Sequence, residues 1–251
     1  MKAIIIGAGR GIRLMPETSS YPKCMMDGLG GRRVLDWMLE ACAQNGVDDI
    51  VFIGGYHIEK VQTAYPHLRF YNNTDWPNNN ILESLMCAAP ELDTDCLISY
   101  SDIVFRPAVV EQLLASPAAD ALVVDTAWRS RYQDRTDHGE DQAENTVVED
   151  GLIRRLGKHV SGQGSHGEFI GLARLSGATA QRLRKRYEEL RPQHLHRPFQ
   201  QAATIRKAYL TDMLQEMIDR GTEFAPVDIA AGWAEIDTPQ DLAWARRELG
   251  T

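Results

Sequence analysis

The first twenty-three residues, MKAIIIGAGRGIRLMPETSSYPK, constrain this chain more than any other stretch. Residues 2–6 form an apolar, β-branched run, the pattern of a buried strand. The run breaks into Gly7, Ala8, Gly9, Arg10 and Gly11, too glycine-rich to hold helix or strand. Three glycines let the backbone approach a ligand closely, and their successive N–H groups can point inward as an anion cradle. Arg10, Arg13 and Lys23 add three cations to that cradle. A strand feeding a basic, glycine-rich loop is how α/β proteins hold nucleotide phosphates. The stretch therefore predicts a phosphate site. A loop serving only as a tight turn leaves the spaced Arg13, Pro22 and Lys23 unexplained.

Downstream, apolar periodicity predicts helices over 34–45, 58–65, 81–88 and 107–115, alternating with strands over 49–53, 68–71, 96–100 and 121–125. That alternation implies an α/β fold with a Rossmann-like, doubly wound, mostly parallel mixed sheet. The second half is less regular. It begins with an excursion over 127–145, then a hairpin over 147–156 turning at Asp150-Gly151. A strand over 169–175, helices over 177–190 and 209–220, and strands over 224–227 and 233–236 follow. Residues 191–208, polar and basic with two prolines, read as an insertion acting as a lid or a dimer contact, which would allow a homodimer. The last helix is expected to open at Thr238 as N-cap, with Pro239 in its first turn and Asp241 three residues on. The 251 residues suit a single domain, 1–125 forming a nucleotide-binding half and 126–251 an acceptor-binding half.

Net charge is −8, which argues against broad nucleic-acid binding and requires any phosphate site to be locally basic. The four cysteines show no C-x-x-C pairing and no metal-like spacing, as expected for reduced thiols in a cytoplasmic protein. The chain enters a strand at once, leaving no room for a signal peptide, and no apolar run reaches membrane length. Neither nucleic acid nor membrane is an expected partner.

The glycine loop can be placed further. A dinucleotide fingerprint needs G-x-G-x-x-G and an acid after the second strand. Here Ile12 takes the third glycine's place, and 49–53 runs into Gly54-Gly55-Tyr56. No Walker sequence occurs. The string G-x-G-x-G-x-R-L-x-P-x-T-x-x-x-P-K is matched at each specified position from Gly7 to Lys23. It resembles the signature of the nucleotidyltransferases that make NDP-sugars and CDP-linked head groups. The resemblance covers nearly the whole chain, is strongest over 3–26, 98–103 and 232–242, and implies the nucleotide-diphospho-sugar transferase type of fold. Such enzymes join a substrate phosphate oxygen to the α-phosphorus of an NTP and expel pyrophosphate, so positioning and electrostatics carry the rate.

On this resemblance Gly7, Ala8, Gly9, Arg10 and Gly11 hold the nucleotide, while Arg13 and Lys23 reach the triphosphate as catalytic cations. Lys23, held by Pro22, resembles the family's lysine at the transferring phosphates. Asp102 ends a strand, where open α/β sheets place ligands. Tyr100-Ser101-Asp102 resembles the family's metal-binding aspartate, Asp237 would be the second ligand and Glu235 a weaker third, for Mg²⁺. Their blander readings are a turn former and a neighbour of a helix N-terminus.

Residues 78–85 resemble a stretch of phosphocholine and phosphonate cytidylyltransferases, which assigns Asn79 and Ser84 to the nucleotide; Glu83 departs from that pattern. Glu168-Phe169-Ile170-Gly171-Leu172 resembles another of their strands. Trp128, Arg129, Arg131, Tyr132 and Arg135, with Lys158 further on, resemble the segment after their fifth strand. Trp128, Arg129, Tyr132, Arg135, Lys158 and Glu168 are thereby assigned to the acceptor, the arginines for its phosphate and the aromatics for its head group. If the 127–135 loop is only a structural cover, the stretch around Tyr209 and Asp212 is the next place for that pocket. His194 and His196 lack metal partners and are expected to face solvent. The expected activity is Mg²⁺-dependent transfer of CMP from CTP, ahead of UTP or dTTP, to a small phosphorylated alcohol or a phosphonate. A sugar-1-phosphate nucleotidyltransferase and a non-catalytic nucleotide-binding regulator are the alternatives. A dinucleotide oxidoreductase is disfavoured by Ile12.

Overall fold

The protein is described by a computed structural model over residues 1–133, 135–160 and 164–249. Strand β1 (Lys2–Gly7), buried at all six positions, runs down the middle of the main sheet. After the glycine loop come a short antiparallel pair, β2 (Asp27–Leu29) and β3 (Arg32–Arg33), and helix α1 (Val34–Gln44). Strand β4 (Asp49–Gly54), helix α2 (Ile58–Ala64), strand β5 (Arg69–Asn72) and helix α3 (Ile81–Cys87) follow. Next are β6 (Cys96–Tyr100), β7 (Ile103–Phe105), α4 (Pro107–Ala115) and β8 (Ala121–Asp125). The second half holds α5 (Arg129–Tyr132), the hairpin β9 (Asn145–Glu149) and β10 (Leu152–Gly157), and β11 (Gly167–Leu175). It ends with α6 (Gly177–His194), α7 (Leu210–Asp219), β12 (Ala225–Ile229), β13 (Trp233–Glu235) and α8 (Pro239–Glu248).

Among the described residues the main sheet runs β10-β9-β11-β6-β1-β4-β5, with β8 on β11 and β12 on β8. Strands β6, β1, β4 and β5 are parallel, and β11 is antiparallel to β6. The sheet is therefore mixed and mostly parallel at its centre. Parallel strands covered on both faces read as unbroken apolar runs, which is why β1, β4, β6 and β8 stand out in the sequence. One core layer lies between the sheet and α3, α6 and α7; the other lies between the sheet and α1, α2 and α4. A third cluster, including Leu14, Met26, Val104, Ile236 and Leu242, packs beneath the glycine loop.

Strand β11 changes partners midway, pairing with β9 at Gly167 and Glu168 and with β6 from Leu172 onward. Gly171, at φ +87°, makes the bend, and the Tyr100 ring occupies the place a Cβ would need. The same close packing fixes Tyr100 at the end of β6.

The reading of 191–208 as a lid is corrected here. Helix α6 runs on through Pro192 to His194, and Phe199, Ile205 and Ala208 are buried in the core beside Leu210 and Met213. Its exposed basic residues concealed three apolar anchors spaced too irregularly to read as an element. His196 is exposed, while His194 is half-buried with its Nδ1 on the Pro198 carbonyl. β13 is expected from 233–236, whereas β2, β3 and β7 are not separable in sequence, because two or three residues carry no period. No helix among the described residues is long and apolar enough to cross a membrane. The four cysteines are free thiols, and burial pushes Cys24 up to about 12. Because Phe199 is core and not lid, Phe199→Ala is expected to cost about 3–5 kcal/mol of stability in urea unfolding. A loss of about 0.5 kcal/mol or less, typical of a surface position, would restore the lid reading.

Candidate active site

A cleft of about 680 Å³ opens where β1 and β6 end and β11 begins. Its floor is the loop Gly7, Ala8, Gly9, Arg10 and Gly11. Gly11 is left-handed at φ +67°, and a Cβ there would strike the Lys23 side chain, so loop and lysine are fitted to each other. Facing this loop are Trp76, Asn79 and Ser84. Buried Asn73 donates to Asn79 Oδ1 at 2.8 Å and Ser84 Oγ at 2.9 Å, while Asn79 Nδ2 returns a bond to Asn73 Oδ1 at 3.1 Å. That network orders the asparagine-rich loop before a ligand arrives.

The two acids far apart in sequence meet through a short ladder. β13 pairs antiparallel with β7, setting Trp233 opposite Phe105 and Glu235 opposite Ile103. The Ile236 N–H then donates to the Asp102 carbonyl at 2.7 Å. Asp237 follows immediately, and its N–H donates to Asp241 Oδ2 at 3.0 Å. Asp241 also accepts from Thr238 N–H at 2.7 Å, while Thr238 Oγ1 accepts from Asp241 N–H at 3.3 Å, a capping box that locks the start of α8.

Lys23 Nζ donates to Asp102 Oδ2 at 2.8 Å and to Asp237 Oδ1 at 2.5 Å, and Arg13 donates to the other Asp237 oxygen. Burial pulls the Lys23 ammonium toward neutrality, but the charges of Asp102 and Asp237 outweigh it and raise its pKa. Burial alone would raise Asp237, yet Lys23 and Arg13 hold it well below the usual carboxylate range. Glu235 moves the other way: burial and the charges of Asp237 and Asp102 raise it. His138, which no sequence motif marks, joins this group. One ligand atom each from His138, Glu235 and Asp237 lies within 4.8 Å of the others. Arg135 Nη2 donates to His138 Nδ1 at 2.9 Å, so that nitrogen is the acceptor, and burial with Arg135 lowers its pKa to about 4.

Lys158 and Glu168 also line the cleft. Trp128, Arg129, Tyr132 and Arg135 do not, which corrects the placement expected for the 127–135 loop. Trp128 and Tyr132 pack edge to face in a buried cluster, and Arg129 lies over Trp128 with its guanidinium carbon 4.6 Å from the ring centre. Tyr132 Oη donates to Glu168 at 2.6 Å, and Arg135 pairs with Glu235 at 3.0 Å and Asp241 at 2.7 Å. Arg131 donates to Asp125 and to the Trp233 carbonyl. The loop braces the acids from behind. A four-residue spacing puts two aromatics on one side of a turn, but it does not say whether that side meets ligand or core. Glu144, Tyr100 and Tyr209 line the cleft as well; Glu144 precedes a strand as an ordinary polar residue would, and nothing in the sequence separates it from one.

The sequence profile of the MobA-like NTP transferase domain matches residues 3–213. The chain belongs to this family. A protein of Campylobacter jejuni named CTP:phosphoglutamine cytidylyltransferase is 29% identical over 252 residues, spanning 96% of this chain and 98% of its own. The CMP-5'-(3-aminopropyl)phosphonate synthase of Streptomyces rubellomurinus is 32% identical over 135 residues, 51% of this chain and 21% of that one. In fold, the CTP:phosphocholine cytidylyltransferase of Streptococcus pneumoniae superposes with a TM-score of 0.72 at 17% identity, covering 98% of this chain and 97% of that one. The inositol-1-phosphate CTP transferase of T. maritima gives 0.72 at 19% identity, covering 99% and 95%.

Burial and the charge of Glu235 push Glu168 up to about 8, whereas an unfolded glutamate titrates near ~4.3. Between those values the folded chain holds a proton that the unfolded chain releases, so Glu168 makes stability fall as pH rises through the window. Glu168→Gln keeps an acceptor for Tyr132 and removes the titration. The melting temperature of the variant relative to wild type is expected to climb steadily from pH 5 to pH 8; a difference independent of pH would contradict the assigned shift.

Proposed function

We propose that this protein transfers CMP from CTP to a small phosphorylated alcohol or a phosphonate and releases pyrophosphate. The observation that carries the reading is the Lys23 ammonium held between Asp102 and Asp237 at the lip of the glycine loop. The names of the relatives, which specify CTP or CMP and phosphorylated or phosphonate partners, support the choice of nucleotide and of acceptor class.

An acceptor phosphate oxygen attacks the α-phosphorus of CTP. A new P–O bond forms as the bond from that phosphorus to the bridging oxygen breaks, and pyrophosphate leaves with the electron pair. Both reactants are anions, so the chain's work is to bring them together and to hold charge at the phosphoryl oxygens. The N–H groups of the glycine loop face the triphosphate, with Lys23 and Arg13 beside the reacting centre. Asp102 and Asp237 suit Mg²⁺, which takes one or two carboxylates and fills its remaining positions with phosphate oxygens and water. Asp102 remains partly exposed with its second oxygen available, which fits that donor set. When bound, the ion would neutralise the charge developing on the phosphates. The braced position of Glu235, between Arg135 and the two aspartates, makes it a supporting acid.

Lys23→Ala is expected to lower the rate of pyrophosphate release by about 10²–10³-fold, the usual loss for one preorganised electrostatic group, with an unchanged circular dichroism spectrum. Asp102→Asn should remove the response of that rate to added Mg²⁺. An unaltered rate in Lys23→Ala would defeat the reading.

A further inference from the structure

His138 reaches the reacting acids without being one of them. The ring is buried and lines the cleft, with Nδ1 3.5 Å from Asp237 Oδ2 and 3.6 Å from Glu235 Oε2. A histidine this close to two carboxylates has the composition of a metal centre. The hydrogen bonds say otherwise. Arg135 Nη2 donates to Nδ1 at 2.9 Å, and an arginine can only donate, so the Nδ1 lone pair is spent and the ring's proton sits on Nε2. Nε2 has no partner among the described residues and is open to the cleft. His138 thus presents a free N–H donor at the edge of a site built for anions.

The donor is held in place by several neighbours. Tyr132 meets the ring edge to face, with centres 6.3 Å apart. Arg135, which orients Nδ1, is itself anchored on Glu235 and Asp241. Gln240 grips the backbone just before the histidine: Thr136 N–H and Asp137 N–H donate to its Oε1 at 3.0 and 3.3 Å, and its Nε2 donates to Thr136 Oγ1 at 2.8 Å. Gln240 and Asp241 belong to the first turn of α8, the turn whose capping box also fixes Asp237. One helix start therefore sets the position of both the aspartate and the histidine. Such bracing before any ligand arrives is what a preorganised donor requires.

We propose that His138 binds the acceptor: its Nε2–H donates to a phosphoryl oxygen of the incoming phosphate or phosphonate and holds that group beside Asp237. This rests on the cytidylyl-transfer reading and adds a residue to its second-substrate site. In phosphoryl transfer the attacking and leaving oxygens lie roughly in line, so the acceptor enters opposite the pyrophosphate. With the triphosphate on the glycine loop, that entry falls to the second half of the chain, whose excursion after β8 brings His138 against Asp237. The arginines of this excursion that face the acids are committed, Arg131 to Asp125 and Arg135 to Glu235 and Asp241. A hydrogen bond from a neutral N–H to an anionic oxygen is charge-assisted, so the acceptor can be held here without a further cation.

The test offers CTP and Mg²⁺ with phosphocholine, phosphoethanolamine, O-phosphoserine or 2-aminoethylphosphonate, follows pyrophosphate release, and carries forward the acceptor that the wild type uses best. A hydrogen bond to a charged group counts for about ten- to a hundredfold, so His138→Phe should raise the acceptor's KM by that factor and leave the KM for CTP nearly unchanged. His138→Gln should recover most of the loss, because its amide can accept from Arg135 at one end and donate at the other. A second measurement stands even if His138→Phe does not fold. In ¹⁵N-histidine-labelled wild type, the ring whose signals vanish in His138→Gln should carry its proton on Nε2, and that Nε2 should shift when the acceptor joins a non-transferable α,β-methylene analogue of CTP. Equal rises in the two KM values place the histidine on the triphosphate and overturn the inference. An unchanged acceptor KM, or a ring protonated on Nδ1, overturns it too, and each of these outcomes leaves cytidylyl transfer standing. Pyrophosphate release with none of the four acceptors removes the cytidylyl-transfer reading and this inference together.

Discussion

An ammonium group buried between two carboxylates organises this molecule. Lys23 sits at 2.8 Å from Asp102 and 2.5 Å from Asp237, and with Arg13 it holds Asp237 in its charged form. Burial opposes the charges of Lys23 and Asp237, and their mutual attraction outweighs it. The glycine at position 11 lets the lysine lie flat beneath the loop, the β13–β7 ladder delivers Asp237, and the capping box of α8 stops it from turning away. Each of these local devices would be an ordinary turn, edge or cap elsewhere. Together they hold like-charged residues in a small volume.

The same cluster shows how one environment sets acids to different states. Asp237, with two cations, is held ionised; Glu235 and Glu168, with more anionic neighbours and less compensation, are pushed toward holding their protons. Arg135 and Tyr132 moderate that push from the second layer. The difference between Glu235 and Asp237, two residues apart, comes from which cations reach them.

Much of the fold was legible because buried parallel strands announce themselves as apolar runs and because glycines, prolines and caps punctuate them. The N-terminal string and the strand-end position of Asp102 pointed to the site for the same reason: backbone conformation and charge at fixed spacing leave marks in a single chain. What stayed hidden was direction. Trp128, Tyr132 and Arg135 have the composition of a ligand wall and lie behind it, and the 191–208 stretch has a polar surface hung on Phe199 and Ile205. Glu144 and His138 matter through neighbours contributed by other elements, Tyr100 and Thr211 for one, Glu235 and Asp237 for the other. Such residues carry no local pattern, since their role is written in tertiary contacts alone.

The ladder that joins Ile103–Phe105 to Trp233–Glu235 has a temporal meaning as well. The phosphate loop and Asp102 emerge early in synthesis, when the nucleotide-binding strands can already pair with one another. Asp237 arrives only after more than a hundred further residues, and a contact at that sequence distance must first meet its loop-closure entropy. Until it does, Lys23 and Arg13 face a loop with half its counter-charge. The charge balance of the cradle is completed from a strand more than a hundred residues downstream, so a chain interrupted before Trp233 would keep the glycine loop and Asp102 and lose the acid that Arg13 and Lys23 share.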